Sequence, residues 1–255
     1  MKKPVSFFGV IVLILFVSVS VGWAGQNKPT FSGSVTASSK YVFRGYEYSR
    51  DSLVFFLDGA VSYKGFSAGI WADMDTDHYR TEDMDNKGNM ELYETDLSLS
   101  YSNSVDEFNY SVGWVYYDYE DYATGENQEV FASLGLDTLL SPTLNVYSEI
   151  EDGEAYYASL DLSHSTDLTD SLALDCGAKA GYEYDEDGAS GGGTYSELHD
   201  GLLWAGLSMP LGDNWSLAPA VNYSFPLSGD SEEELENDKG DSRYFWGSLS
   251  LSTSF

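Results

Sequence analysis

The sequence predicts an all-β chain: a single antiparallel transmembrane β-barrel of about 12 strands, with short periplasmic turns and longer acidic extracellular loops. Three observations predict it. Apolar and small polar residues alternate along nearly the whole chain, in segments near the ~9–11 residues that a tilted membrane strand needs. The connections fall into two classes, short turns and longer acidic loops. The last stretch, Tyr244 to Phe255, is itself an amphipathic strand that ends on an aromatic residue.

The amino terminus reads as a secretory signal. Lys2 and Lys3 form the charged region, Phe7 to Val21 the apolar core, and Gly22-Trp23-Ala24 the small-residue cleavage site. Cleavage after Ala24 gives a signal over 1–24, a short leader over 25–30 and a barrel over 31–255. An uncleaved anchor is the alternative, but the apolar run is short for a span of ~20 residues. No later stretch is apolar enough for a helical span. Cys176 is the single cysteine, so no intrachain disulfide forms.

The elements follow by their period of two. Phe31 to Arg44 sets Val35, Ala37, Tyr41 and Phe43 against Ser34, Thr36, Lys40 and Arg44. Ser52 to Lys64 points Phe55, Leu57 and Val61 outward and Asp58, Ser62 and Lys64 inward. Lys64-Gly65 is a tight turn. Phe66 to Asp75 points Ala68, Ile70 and Met74 outward and Trp71, Asp73 and Asp75 inward. Asn89 to Ser102 carries Glu94 and Asp96 inward, and Phe108 to Tyr119 carries Val112 and Trp114 outward. Glu129 to Asp137, Thr143 to Glu151 and Tyr156 to His164 alternate Leu, Val and Ala with polar residues. Leu172 to Tyr184 places Cys176 outward and Asp175 and Lys179 inward. Leu202 to Leu211, Trp215 to Phe225 and Tyr244 to Phe255 complete the series.

Short links (Lys64-Gly65, 103–107, 138–142, 165–171, 212–214) alternate with a class that includes the long acidic stretches 77–88, 120–127, 185–200 and 228–243. An even strand count returns both ends to the short-turn rim. Aromatics gather near strand ends, Tyr41, Phe43, Tyr63, Phe66, Tyr101, Phe108, Trp215 and Phe225, as interfacial girdles do. A soluble antiparallel sandwich would also alternate. The loop asymmetry, the terminal Phe and the Leu-rich and aromatic outward positions favour the barrel, which leaves no open edge in lipid.

Phe255 resembles the closing residue of Gram-negative outer-membrane barrels, where it serves as the signal to the barrel-assembly machinery. Lys40-Tyr-Val-Phe-Arg-Gly45, Gly65-Phe-Ser-Ala-Gly-Ile-Trp-Ala-Asp73, Glu94-Thr-Asp-Leu-Ser-Leu-Ser-Tyr101 and Tyr110-Ser-Val-Gly-Trp-Val-Tyr-Tyr-Asp-Tyr119 resemble the TorF-type porin family of proteobacteria. Order and spacing agree over roughly residues 31–160, and the second half agrees mainly in style. The resemblance implies an outer-membrane barrel with porin function. It supplies no catalytic residue and no substrate.

The candidate site is the inward face: Lys40, Arg44, Asp58, Lys64, Asp73, Asp75, Glu94, Asp96, Glu129, Glu149, Glu151, Asp161, Asp175 and Lys179. With 12 Lys+Arg against 42 Asp+Glu and a net charge of -30, nucleic acid is excluded as a partner. A lumen rich in acids favours small cationic or neutral solutes. The alternative is a closed structural or surface-interaction barrel, its acids paired with bases and hydroxyls and its acidic loops as the working part. Expected surroundings are outer-membrane lipid and lipopolysaccharide.

No cofactor or metal is expected. Asp83, Asp85, Gly88 and Glu94 mimic an EF-hand frame, but Lys87 stands where a ligand belongs, and the run reads as a solvated face. Divalent bridging to lipopolysaccharide by the acidic loops is a weaker expectation. Gly188-Ala-Ser190-Gly-Gly192 matches a nucleophile-elbow string without its strand-to-helix setting, so no enzyme is expected, although His199 follows closely. His78 and His164 lack ligand spacing, and Cys176 reads as a small apolar residue.

Overall fold

The computed structural model describes residues 28–49, 52–77, 91–119, 126–150, 154–186, 193–237 and 239–255. The proposed signal segment and most of the acidic stretches 77–88 and 120–127 lie outside them, whereas 185–200 and 228–243 are largely described.

The strands in chain order are β1 (Thr30–Ser38), β2 (Val42–Phe43), β3 (Tyr46–Glu47), β4 (Val54–Tyr63), β5 (Phe66–Asp75), β6 (Glu91–Val105), β7 (Phe108–Tyr119) and β8 (Glu126–Leu136). They continue with β9 (Thr143–Glu149), β10 (Ala155–Thr169), β11 (Leu172–Asp185), β12 (Tyr195–Leu211), β13 (Trp215–Pro226) and β14 (Tyr244–Ser254). One short helix, α1 (Gly229–Glu234), precedes β14. Twelve strands close into an antiparallel barrel in the order β1-β14-β13-β12-β11-β10-β9-β8-β7-β6-β5-β4, while β2 and β3 form a separate two-stranded hairpin.

Closure falls on β1. Val35 pairs with Leu57 of β4 on one side and with Leu251 of β14 on the other. Phe31 and Phe255 exchange backbone hydrogen bonds of 2.8 and 2.9 Å, and their rings stack at 6.3 Å. Every wall strand thus has two neighbours and no edge is left, which matters because an unsatisfied backbone group in lipid costs several kcal/mol.

The alternation decides what each face meets. Leu99 and Leu203 are at least half exposed (55% and 50%) although each sits mid-strand. A continuous outward apolar band of this kind is stable in hydrocarbon and not in water. The barrel therefore belongs to the outer membrane. Inward positions carry Ser, Thr, Asp and Glu instead. At the short-turn rim the Phe66 and Tyr101 rings meet at a tilt, 4.9 Å apart, beside Lys64-Gly65, whose positive φ values of 51° and 85° make the two-residue turn.

Two bulges adjust the inward face. Register shifts between Ala72 and Met74, where Asp73 meets Glu94. It shifts again between Ala180 and Tyr182 against β12, so that His199 and Asp200, adjacent in sequence, are both buried inside.

Several expected boundaries move. The first strand stops at Ser38 rather than Arg44, so Lys40, Tyr41, Phe43 and Arg44 belong to a loop and Tyr41 and Phe43 are not girdle residues. The twelfth begins at Tyr195, seven residues before the expected Leu202, and takes in part of the stretch read as an acidic loop.

A hairpin across the lumen

Residues 39–49 turn into the barrel. Phe43 pairs with Tyr46, leaving Arg44 and Gly45 as a two-residue turn with φ of 48° and 88°. Gly45 is required twice over. Its φ suits glycine, and a Cβ there would lie 2.8 Å from Leu235 and 2.9 Å from Asp200. The hairpin closes on itself through Tyr48 N–H donating to Tyr41 O at 2.9 Å, Tyr41 N–H to Ser49 Oγ at 2.7 Å, and a Lys40–Glu47 ion pair of 2.5 Å. Ser38 and Ser49 are almost fully buried beneath it.

From its base between β1 and β4 the hairpin reaches the far wall. The Arg44 guanidinium donates to both Glu129 oxygens of β8, at 2.7 and 2.8 Å. It lies 4.8 Å from the Tyr147 ring of β9 and 4.5 Å from the Tyr157 ring of β10. Tyr117 donates a further 2.7 Å hydrogen bond to Glu129. A bidentate, aromatic-stacked guanidinium is a site lysine cannot replace. His199 Nε2 donates to Arg44 O at 2.9 Å, because a carbonyl can only accept, while Tyr195 Oη lies 2.8 Å from Nδ1. Asp200 accepts from Tyr157 Oη at 2.7 Å and pairs with Lys179 at 2.7 Å.

On the near side Tyr41 donates to Glu94 at 2.9 Å and packs against Phe56 and Trp71 at 5.3 and 5.6 Å. Glu94 N–H donates to Asp73 at 2.8 Å, and Ser34 to Asp58 at 3.2 Å. Above the hairpin α1 begins at Ser228, which shares a capping box with Ser231, and Tyr46 Oη meets Glu234 at 3.4 Å. Outside the lumen, a hydrogen bond from Arg243 to Glu232 holds that carboxyl below its ordinary range.

The charges do not balance. Lys40, Arg44 and Lys179 each face an acid: Glu47, Glu129 and Asp200. Among the described residues no Lys or Arg pairs with Asp58, Asp73, Glu94 or Asp96, and Asp96 Oδ1 is buried without a hydrogen bond. Acids therefore outnumber bases at this level.

Most expected inward residues belong to wall strands. Asp58 is on β4, Asp73 and Asp75 on β5, Glu94 and Asp96 on β6, Glu129 on β8, and Glu149 on β9. Asp161 is on β10, and Asp175 and Lys179 on β11. The hairpin gathers Asp73, Glu94, Glu129 and Lys179 into one network. Asp161 lies apart, bonded to Asn145 at 2.8 Å, as does Asp175, bonded to Ser208.

Three placements differ. Lys40 and Arg44 reach the lumen on the hairpin, not on the wall, because β1 has already ended. Lys64 is exposed in the rim turn with its ammonium 5.1 Å from the Tyr63 ring, since its positive φ takes it out of the alternation. Glu151, His78, Ser190 and the EF-hand-like positions Asp83, Asp85 and Gly88 lie outside the described residues. The sequence places Tyr147 inward and draws notice to His199, but marks neither these nor Glu47, Tyr117, Tyr157 and Asp200 as part of this network. One signal was available: Arg44-Gly45 sits between two aromatic runs, 41–43 and 46–48, each too short to cross a membrane.

No model of a known protein family matches the chain, and no curated protein does. Among solved structures the chain is similar to the NanC porin, with 10% identity, a TM-score of 0.53, and coverage of 88% of this chain and 98% of that one. It is more distantly similar to Salmonella typhi OmpF in complex with daunomycin, with 7% identity, a TM-score of 0.41, and coverage of 89% and 97%. The first likeness identifies the class by fold: a bacterial outer-membrane β-barrel.

Proposed function

We propose that the protein is a narrow diffusion channel that favours small cations, with its constriction built by the 39–49 hairpin. The observation that carries this reading is the charge imbalance at that level. The hairpin's two bases and Lys179 are each taken up by an acid, and Asp58, Asp73, Glu94 and Asp96 remain. A ring of one sign selects ions of the other. The porin function implied by the resemblance to the TorF-type family agrees with it.

A second reading, a closed structural barrel, is favoured by one specific observation. Around the hairpin His199, Asp200 and Asp73 are only 0–2% exposed, so the network itself is dry. A third reading, divalent binding by the acidic loops, finds no cluster of three or more candidate ligands among the described residues.

The test is conductance of the refolded mature protein in a planar bilayer under a KCl gradient. Small discrete steps with a cation-selective reversal potential are expected, and Asp96→Asn should reduce that selectivity. Anion selectivity would overturn the charge argument. Silence from protein shown to be folded by heat-dependent gel mobility would decide for the closed barrel.

A further inference from the structure

Away from the hairpin, a cavity of about 440 Å³ lies near the short-turn rim, lined in part by Ser163, Ser165, Asp175, Trp204 and the turn residues Thr138 and Ser141. Its walls follow from the register. Ser163, Gly177 and Trp204 form one cross-strand row over β10, β11 and β12, and Ser165, Asp175 and Gly206 form the next. Gly177 sets the attitude of the indole. A Cβ there would lie 2.5 Å from Trp204 Nε1 and 2.6 Å from Cε2, so the ring lies against the glycine backbone. The same indole also lines the cavity. Asp175 is aimed by the hydroxyl of Ser208, which donates to Oδ2. Among the described residues no Lys or Arg pairs with Asp175.

We propose that this vestibule is a binding subsite for small organic cations of the alkylammonium class. Trp is the best aromatic partner for a cation held within ~6 Å of its ring. Asp175, without a basic partner, supplies the opposing charge on the adjacent row. Two serine hydroxyls add acceptors for a solute's N–H or O–H groups. A polyhydroxylated solute can also stack on the indole and donate to the carboxylate, but only a cation gains in addition from its uncompensated charge. The subsite deepens the cation-favouring reading by naming a solute class, and binding to it does not require conduction.

Choline is the probe. Saturation-transfer NMR on its methyl protons, with the detergent-solubilised mature barrel at low salt, should show saturable binding with Kd on the order of 1 mM. Asp175→Asn and Trp204→Ala should each weaken it by about tenfold, while Trp204→Phe keeps part of it. If Trp204→Ala fails to fold, Asp175→Asn and Trp204→Phe carry the test. Absence of saturable binding overturns the proposal, as does glucose binding equally well with no effect of Asp175→Asn. Choline binding by a barrel that never conducts would defeat the channel reading and leave the subsite standing.

Discussion

The two halves of the lumen share one wall and differ in what fills it. Toward the long loops a hairpin crosses the barrel, and Arg44, Glu129, Tyr157, His199 and Asp200 lock into a buried polar network. Toward the short turns the inner face carries hydroxyls that pair locally, Ser216 with Ser252 at 2.7 Å and Ser62 with Ser67 at 2.5 Å. The wall's alternation is the same in both halves. Barrel closure therefore does not by itself fix what fills the lumen. The wall supplies shape, lipid contact and backbone pairing, and an inserted loop fills one half.

Replacing residues 39–53 by a short Gly-Ser link would make the two halves alike. Single-channel conductance is expected to rise severalfold, the largest effect, with heat-modifiable gel mobility kept because every wall pair survives. Unchanged conductance would show that the hairpin is not the barrier. Arg44→Ala sharpens the contrast by removing one anchor. It leaves Glu129 buried with only a tyrosine hydroxyl, which should cost about 3 kcal/mol in urea unfolding, and it should raise conductance and cation selectivity less than the full replacement. Ser216→Ala, in the hydroxyl half, is expected to cost no more than about 1 kcal/mol and to leave conductance as it was. A large conductance change there would end the division between the halves.

The same contrast separates what was legible in the sequence from what was not. The wall reads directly, because a half-buried strand repeats every two residues: β5 and β7 begin and end where the alternation does. The hairpin does not, because residues 31–44 continue the alternation through Lys40 and Arg44 although the chain has left the sheet. β12 was read late because its first turn of sequence is acidic and its bulge puts His199 and Asp200 on one side, breaking the period. The helix α1 escaped because its cap box uses Ser231 where Glu or Gln is the usual signature, and six residues give no helical periodicity. Asp58, Asp73 and Glu94 could be placed on the inner face, and Ser34 and the Glu94 amide that bond the first two come from wall strands, but Tyr41, the partner of Glu94, comes from the loop.

The distance in sequence between the hairpin and its anchors has a consequence for time. Arg44 enters near the start of the barrel, yet its carbonyl is held by His199, 155 residues later. Thr36 likewise meets Ser250 only across 214 residues. Closing such long loops is slow, and it must precede the contacts that reward it. The hold of His199 on the hairpin forms only once β12 is in place, whereas Tyr41–Glu94 and Arg44–Glu129 span 53 and 85 residues. The last hold on the hairpin and the closing seam of the barrel thus both depend on the distal end of the chain.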